Sequence, residues 1–105
     1  MNIANNSSTI PPAIHDALLR LGADLNTARR RRRLALSYLA ERAGTTRQTI
    51  SRIERGDPRV AMGTWAAVLL DLKLLPRLAE LGVPGNDFQA RFLERQHLPQ
   101  RVRRR

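Results

Sequence analysis

Between Thr46 and Arg55 the chain sets out Arg47, Gln48, Ser51 and Arg52 so that a helix would turn them outward, while Ile50 and Ile53 would point inward. Outward side chains of these types can read base edges. Arg47 can fork onto guanine O6 and N7, and Gln48 can pair with adenine N6 and N7. Arg52, further along the same helix, can reach either a base or a phosphate, and Thr49 or Ser51 can add methyl or hydroxyl contacts. Thr46 offers a hydroxyl N-cap, and a capped helix N-terminus can meet a phosphate. The competing reading of the same residues is a plain solvated polar face.

Such a helix must be held by a partner, and the stretch before it supplies one. Leu36, Leu39, Ala40 and Ala43 place a small apolar face on a helix of about eight residues, which Gly44 ends by taking the left-handed conformation. Ala40 is small where two steeply crossing helices approach, Gly44 sits at the tight turn, and Ile50 and Ile53 fill the space between the helices. This spacing marks a helix-turn-helix over residues 36–55. Upstream, Ile14, Leu18, Leu21, Leu25 and Ala28 recur at steps of four and three, predicting a helix from about residue 12 to 32, with Pro12 in its first turn and Gly22 weakening its middle. Downstream, Trp65, Val68, Leu69 and Leu72 predict a helix within residues 60–72. Leu74, Leu75, Leu78 and Leu81 mark a further short helix ending at Gly82 and Pro84. Asn86 or Asp87 can cap a last helix carrying Phe88, Phe92 and Leu93 and ending before Pro99. No segment alternates as a strand would, so the expected fold is all-α. The domains expected are a disordered N-terminal tail (1–11), a DNA-binding domain (12–82), a C-terminal helix (83–98) and a basic tail (99–105).

The stretch resembles the Xre-type, phage-repressor-like regulators, whose pattern is close to L-A-E-R-x-G-x-[ST]-x-x-x-[IV]-S-x-[IL]-E-x-G. Here it reads Leu39-Ala40-Glu41-Arg42-Ala43-Gly44, then Thr46, Ile50-Ser51, Ile53-Glu54 and Gly56. The resemblance covers residues 21–75. It implies a five-helix bundle, here with an extra C-terminal helix, and a two-fold dimer reading a palindromic operator in double-stranded DNA with the Arg47 helix in the major groove. It also implies a structural role for Glu54, its carboxylate held near Arg42 or backbone amides. Ala35 stands where the family usually has a Ser or Thr cap, and Leu36 where a polar phosphate-contacting residue is common. Tyr38 or the arginine run is expected to substitute there. Gly56-Asp57-Pro58, the stretch from Met62 to Leu69, and the ending Leu98-Pro99-Gln100-Arg101-Val102-Arg103 look like the HipB-like antitoxins. That narrower likeness implies a transcriptional repressor that binds a HipA-like kinase-fold toxin and represses their shared operon; the alternative is a stand-alone Xre-type regulator with no toxin partner.

The phosphate contacts expected are Thr46, Tyr38, Arg29, Arg33 and Arg55. They suit a chain of 105 residues with 19 Lys plus Arg against 9 Asp plus Glu, a formal charge of +10. A polyanion is the partner such a charge implies, and each phosphate neutralised would make binding weaken with salt. All the basic residues but Lys73 are arginine, which suits bidentate contacts, although an arginine-rich genome would give the same bias. For residues 29–33 the alternative is a solvated cationic face, because five neighbours on a helix cannot share one surface. The terminal arginines can be disordered, clamp DNA, or thread onto a toxin. Trp65 fits the core or a dimer contact, and Leu74, Leu75, Leu78 and Leu81 are too many for one short helix to bury, so they are assigned to a homodimer face. With no cysteine, and with His15 and His97 isolated, no metal site, cofactor or thiol chemistry is expected. Asp57 and Asp87 read as turn and cap residues. No nucleophile, base and oxyanion constellation appears, so an enzyme is not expected. RNA is disfavoured by the lack of aromatics near the basic runs, and a membrane surface by arginines that sit at helix ends. No apolar run approaches the roughly 20 residues that cross a bilayer. The expected setting is the bacterial cytoplasm, at the nucleoid.

Overall fold

Pro12, whose missing N–H costs nothing at a helix start, opens α1 (Pro12–Arg31) in the computed structural model, which describes residues 9–97. Five helices follow: α2 (Leu36–Ala43), α3 (Arg47–Glu54), α4 (Met62–Asp71), α5 (Leu75–Glu80) and α6 (Phe88–His97), with a short 3-10 turn at Pro84–Asn86. Among the described residues there is no strand, and the expected all-α class holds. The expected tails are residues 1–11 and 99–105; residues 1–8 and 98–105, with the terminal arginines and the Leu98-Pro99 motif, lie outside the described residues.

The chain divides into two compact units, Met1–Leu75 and Pro76–Arg105. The division falls ahead of the residue 82 boundary read from the Gly82 and Pro84 signal. Lys73 lies just ahead of the division. Its left-handed backbone, φ 66°, turns the chain out of α4, with Lys73 N–H donating to Leu70 O and Leu74 N–H to Leu69 O.

In the first unit the core is aliphatic around one indole. Leu25 from α1, Leu39 and Ala40 from α2, Ile50 and Ile53 from α3, and Trp65, Val68, Leu69 and Leu72 at or beside α4 are all buried. Trp65 therefore belongs to the core. The apolar stripe of α1 is only partly used: Leu25 is buried and Leu18 half-buried, but Ile14 and Leu21 are exposed. Gly22 turns out to be required and not merely tolerated. A Cβ built there would meet Ile53 O at 2.5 Å and Glu54 O at 2.8 Å, so α1 crosses the end of α3 backbone against backbone. Gly56, at φ 77°, seals the same crossing from the other side, since a Cβ there would lie 2.7 Å from Leu18 C and O.

The second unit is different in kind. None of residues 76–96 is buried, and Leu81, Val83, Phe88, Phe92 and Leu93 are all exposed. Its order is polar and local. Asp87 caps α6 by accepting from Ala90 N–H at 3.0 Å, Asn86 donates to Glu80 O, and Arg91 donates to Gly85 O while its guanidinium lies over the Phe88 ring. Asp87, and not Asn86, is thus the cap.

Candidate nucleic-acid interface

Gly44 makes the turn between α2 and α3. Its φ is 73°, and Thr45 N–H closes the end of α2 by donating to Ala40 O at 2.9 Å. A Cβ at Gly44 would meet nothing, so glycine is used here for its backbone conformation alone, unlike Gly22. Thr46 then caps α3. Its hydroxyl accepts from Thr49 N–H at 3.2 Å and donates to Thr49 Oγ1 at 3.1 Å. Ala40 and Leu39 from α2 meet Ile50 and Ile53, which are fully buried, and this fixes the rotation of α3 about its own axis. Ala40, Ile50 and Ile53 are buried, and Gly44 holds a left-handed backbone at the turn.

The rotation leaves Arg47 and Gln48 exposed on the first turn, with no hydrogen bond from either side chain to another group among the described residues. Ser51 and Arg52 follow on the same side, half-buried. Gln48, Thr49, Ser51, Arg52 and Arg55 line a shallow open depression of about 320 Å³. Two of these groups are already engaged. Ser51 Oγ accepts from Arg55 Nη1 at 2.7 Å, and Arg52 Nε donates to Asp57 Oδ2 at 2.9 Å. Asp57 had been read as a turn residue only. Its carboxylate also takes the backbone N–H of Arg59 at 2.8 Å and the Arg59 guanidinium at 3.1 and 3.3 Å. These donors, the Arg59 side chain foremost, hold the Asp57 carboxyl far below the usual carboxylate range against the opposing effect of burial, and in return Asp57 raises the Arg59 guanidinium.

The arginine run splits by direction. Arg29 was expected at a phosphate, but it is turned inward: Nε donates to Glu54 Oε2 at 2.7 Å, Nη2 to Oε1 at 3.2 Å and Nη1 to Leu34 O at 2.7 Å. Only 12% of its side chain is exposed, so it is no candidate for an external anion. Asn26 Nδ2 completes the set, donating to Glu54 Oε1 at 2.8 Å. Glu54 is structural, as the resemblance implied, but its cation is Arg29 and not Arg42. Arg42 instead lies 3.7 Å from Asp71 Oδ1 and over the ring of Tyr38, at 5.8 Å from its centroid. The remaining arginines of the run, Arg30, Arg31, Arg32 and Arg33, are exposed, and Arg33 holds a left-handed backbone at φ 54° that ends α1. Tyr38 is also exposed.

The leucines read as a dimer face fall in both units. Leu74 and Leu75 in the first are half-buried; in the second, Leu78 is half-buried and Leu81 exposed. Among the described residues no group of acidic, histidine or cysteine side chains is placed to hold a metal, and no helix is long and apolar enough to cross a membrane.

Two features of the site lay beyond the sequence reading. The Asn26, Arg29 and Glu54 cluster joins residues about 25 apart, and only the i, i+5 spacing of Arg52 and Asp57 hinted at the second network. No curated protein and no solved structure matches the chain. Residues 25–74 match the model of the family described as Helix-turn-helix. The chain therefore carries an Xre-type helix-turn-helix domain, the DNA-binding module of transcriptional regulators, reaching from the second half of α1 to the end of α4.

Proposed function

We propose that the chain is a sequence-specific DNA-binding repressor that reads bases with Arg47, Gln48, Ser51 and Arg52. The observation that carries this reading is the free outer face of α3: Arg47 and Gln48 are exposed on the first turn of a helix whose roll is set by buried Ile50 and Ile53. Thr46, Tyr38, Arg33 and Arg55 are the phosphate contacts in this reading, and they fix register without reading sequence. The chain acts as a homodimer on a palindromic operator, with Leu74, Leu75, Leu78 and Leu81 supplying the dimer face. Exposure of Leu81, at 78%, supports that assignment.

The test is a gel-shift series on the duplex that the wild-type chain selects from a random-sequence pool. Arg47→Ala and Gln48→Ala are each expected to cost about 1–3 kcal/mol on the selected duplex while leaving binding to unselected DNA much less changed. Equal losses on both duplexes would sink the base-reading assignment.

Within the same reading, the chain is the antitoxin of a HipBA-like pair, binding a kinase-fold toxin and autoregulating the shared operon. The motifs about Gly56-Asp57-Pro58 and residues 62–69 support it, as does a second unit that exposes nearly all its apolar side chains. Co-purification with the product of the adjacent open reading frame tests this. A chain that binds its operator but never that product is a stand-alone regulator.

A further inference from the structure

Asp57, to which the base-reading scheme gives no role, sits at the centre of a network that includes Arg52. Its Oδ2 accepts from Arg52 Nε and Arg59 Nη2, and its Oδ1 from Arg59 Nε and the Arg59 backbone N–H. The carboxylate is thus fully occupied by the chain itself. Arg52 has a different balance. Its Nε is held, but its two Nη groups donate to nothing among the described residues, and 39% of the side chain is exposed. A guanidinium gripped through Nε presents its far edge, the Nη pair, in a fixed direction, and that edge is the one that forks onto a guanine or a phosphate. Arg52 also lines the depression with Gln48, Thr49, Ser51 and Arg55.

We propose that Asp57 is a positioning and specificity-determining residue of the DNA interface: it clamps Arg52 from outside α3, fixes which guanidinium edge faces the groove, and offsets the charge of Arg52 and Arg59. The proposal rests on the reading of α3 as the base-reading helix. Two effects follow. An arginine ordered before binding loses less rotamer freedom on contact, which favours the duplex that matches its direction. The negative charge beside two arginines also weakens attraction to any phosphate backbone, so unselected DNA is held less tightly.

Asp57→Asn separates these effects from folding, because the amide oxygen can still accept the Arg59 backbone N–H that forms the turn. On the duplex selected by the wild-type chain and on a random-sequence duplex, Asp57→Asn is expected to lower the affinity ratio by about five- to tenfold, a fraction of one bidentate base contact. Its salt dependence on random DNA is expected to steepen by about one ion per phosphate newly contacted. In an Arg52→Ala background the same substitution is expected to lower the ratio much less, since the group it positions is gone and only the charge of Arg59 is left to be released. Additive losses in that cycle, or an unchanged ratio with an unchanged salt slope, would overturn the proposal. Should Asp57→Asn fail to fold, the Arg52 Nε–H resonance of the wild-type chain decides: slow exchange relative to Arg30 and Arg31 supports the clamp, and equal exchange removes it. A wild-type chain that shows no preference among duplexes overturns the base-reading scheme itself, a result distinct from any behaviour of the variant.

Discussion

The two faces of α3 answer to different demands. On the inner face Ile50 and Ile53 have no exposed surface, and Glu54 is saturated by Arg29 and Asn26. On the outer face Arg47 and Gln48 are exposed and engage no other group among the described residues. Eight residues thus hold both a filled interior and an unspent set of donors. The difference teaches that arginine count is a poor guide to partners here, because Arg29 serves the fold as fully as any leucine while Arg47 engages no other group among the described residues.

The sharpest way to break the comparison is to disturb the inner side where no side chain can yield. Gly22→Ala is expected to cost about 2–3 kcal/mol, since the new methyl meets backbone oxygens of Ile53 and Glu54 that cannot move aside cheaply. Gly56→Ala should cost about 1 kcal/mol more than that, from the left-handed backbone it must also hold. Urea melts read both, and DNA affinity should be lost only in proportion to unfolding. The mirror experiment is on the outer side. Arg47→Ala and Gln48→Ala should leave the urea midpoint unchanged to within about 0.5 kcal/mol of stability, whatever they do to binding. A melting change comparable to that of Gly22→Ala would mean that the two faces are not separable.

Smaller effects sharpen the picture. Thr46→Ala removes the cap and should cost about 1 kcal/mol in a melt, making Thr46 the residue whose loss touches both faces at once. The smallest effect is in acid. The folded carboxyl of Asp57 lies below its ordinary value of 3.8, so its contribution is complete above that pH and declines as the pH falls below it. The gap in stability between wild type and Asp57→Asn should be constant from pH 7 to about 4 and shrink in more acid solution. Solvent around Arg59 keeps the gap small. A gap that closes already near pH 6 would assign it to another group.

Much of this is legible in the residues themselves. The periodicity of Leu39, Ala40, Ile50 and Ile53 and the punctuation of Gly44 locate α2 and α3, because a tight turn between packed helices leaves few choices of residue. The rest was hidden for a common reason: it depends on what meets what across distance. Gly22 reads as a weakness in a helix until α3 is laid against it, and Arg29 reads as one of five equal arginines until Glu54 is placed beside it. Ile14 and Leu21 satisfy the helical stripe and are exposed, because periodicity does not say which members of a stripe a partner covers.

Lys73, whose left-handed backbone ends α4, is the sole lysine of the chain. A protease that cuts only after lysine has therefore one bond to attack, between Lys73 and Leu74, beside the division between the two units. That bond is tied into the helix end by the Leu74 N–H to Leu69 O hydrogen bond, so cutting requires the last turn of α4 to open. The rate of that single cut becomes a clock for local opening at the edge of the helix-turn-helix domain, and it divides the chain two residues ahead of the boundary between the units.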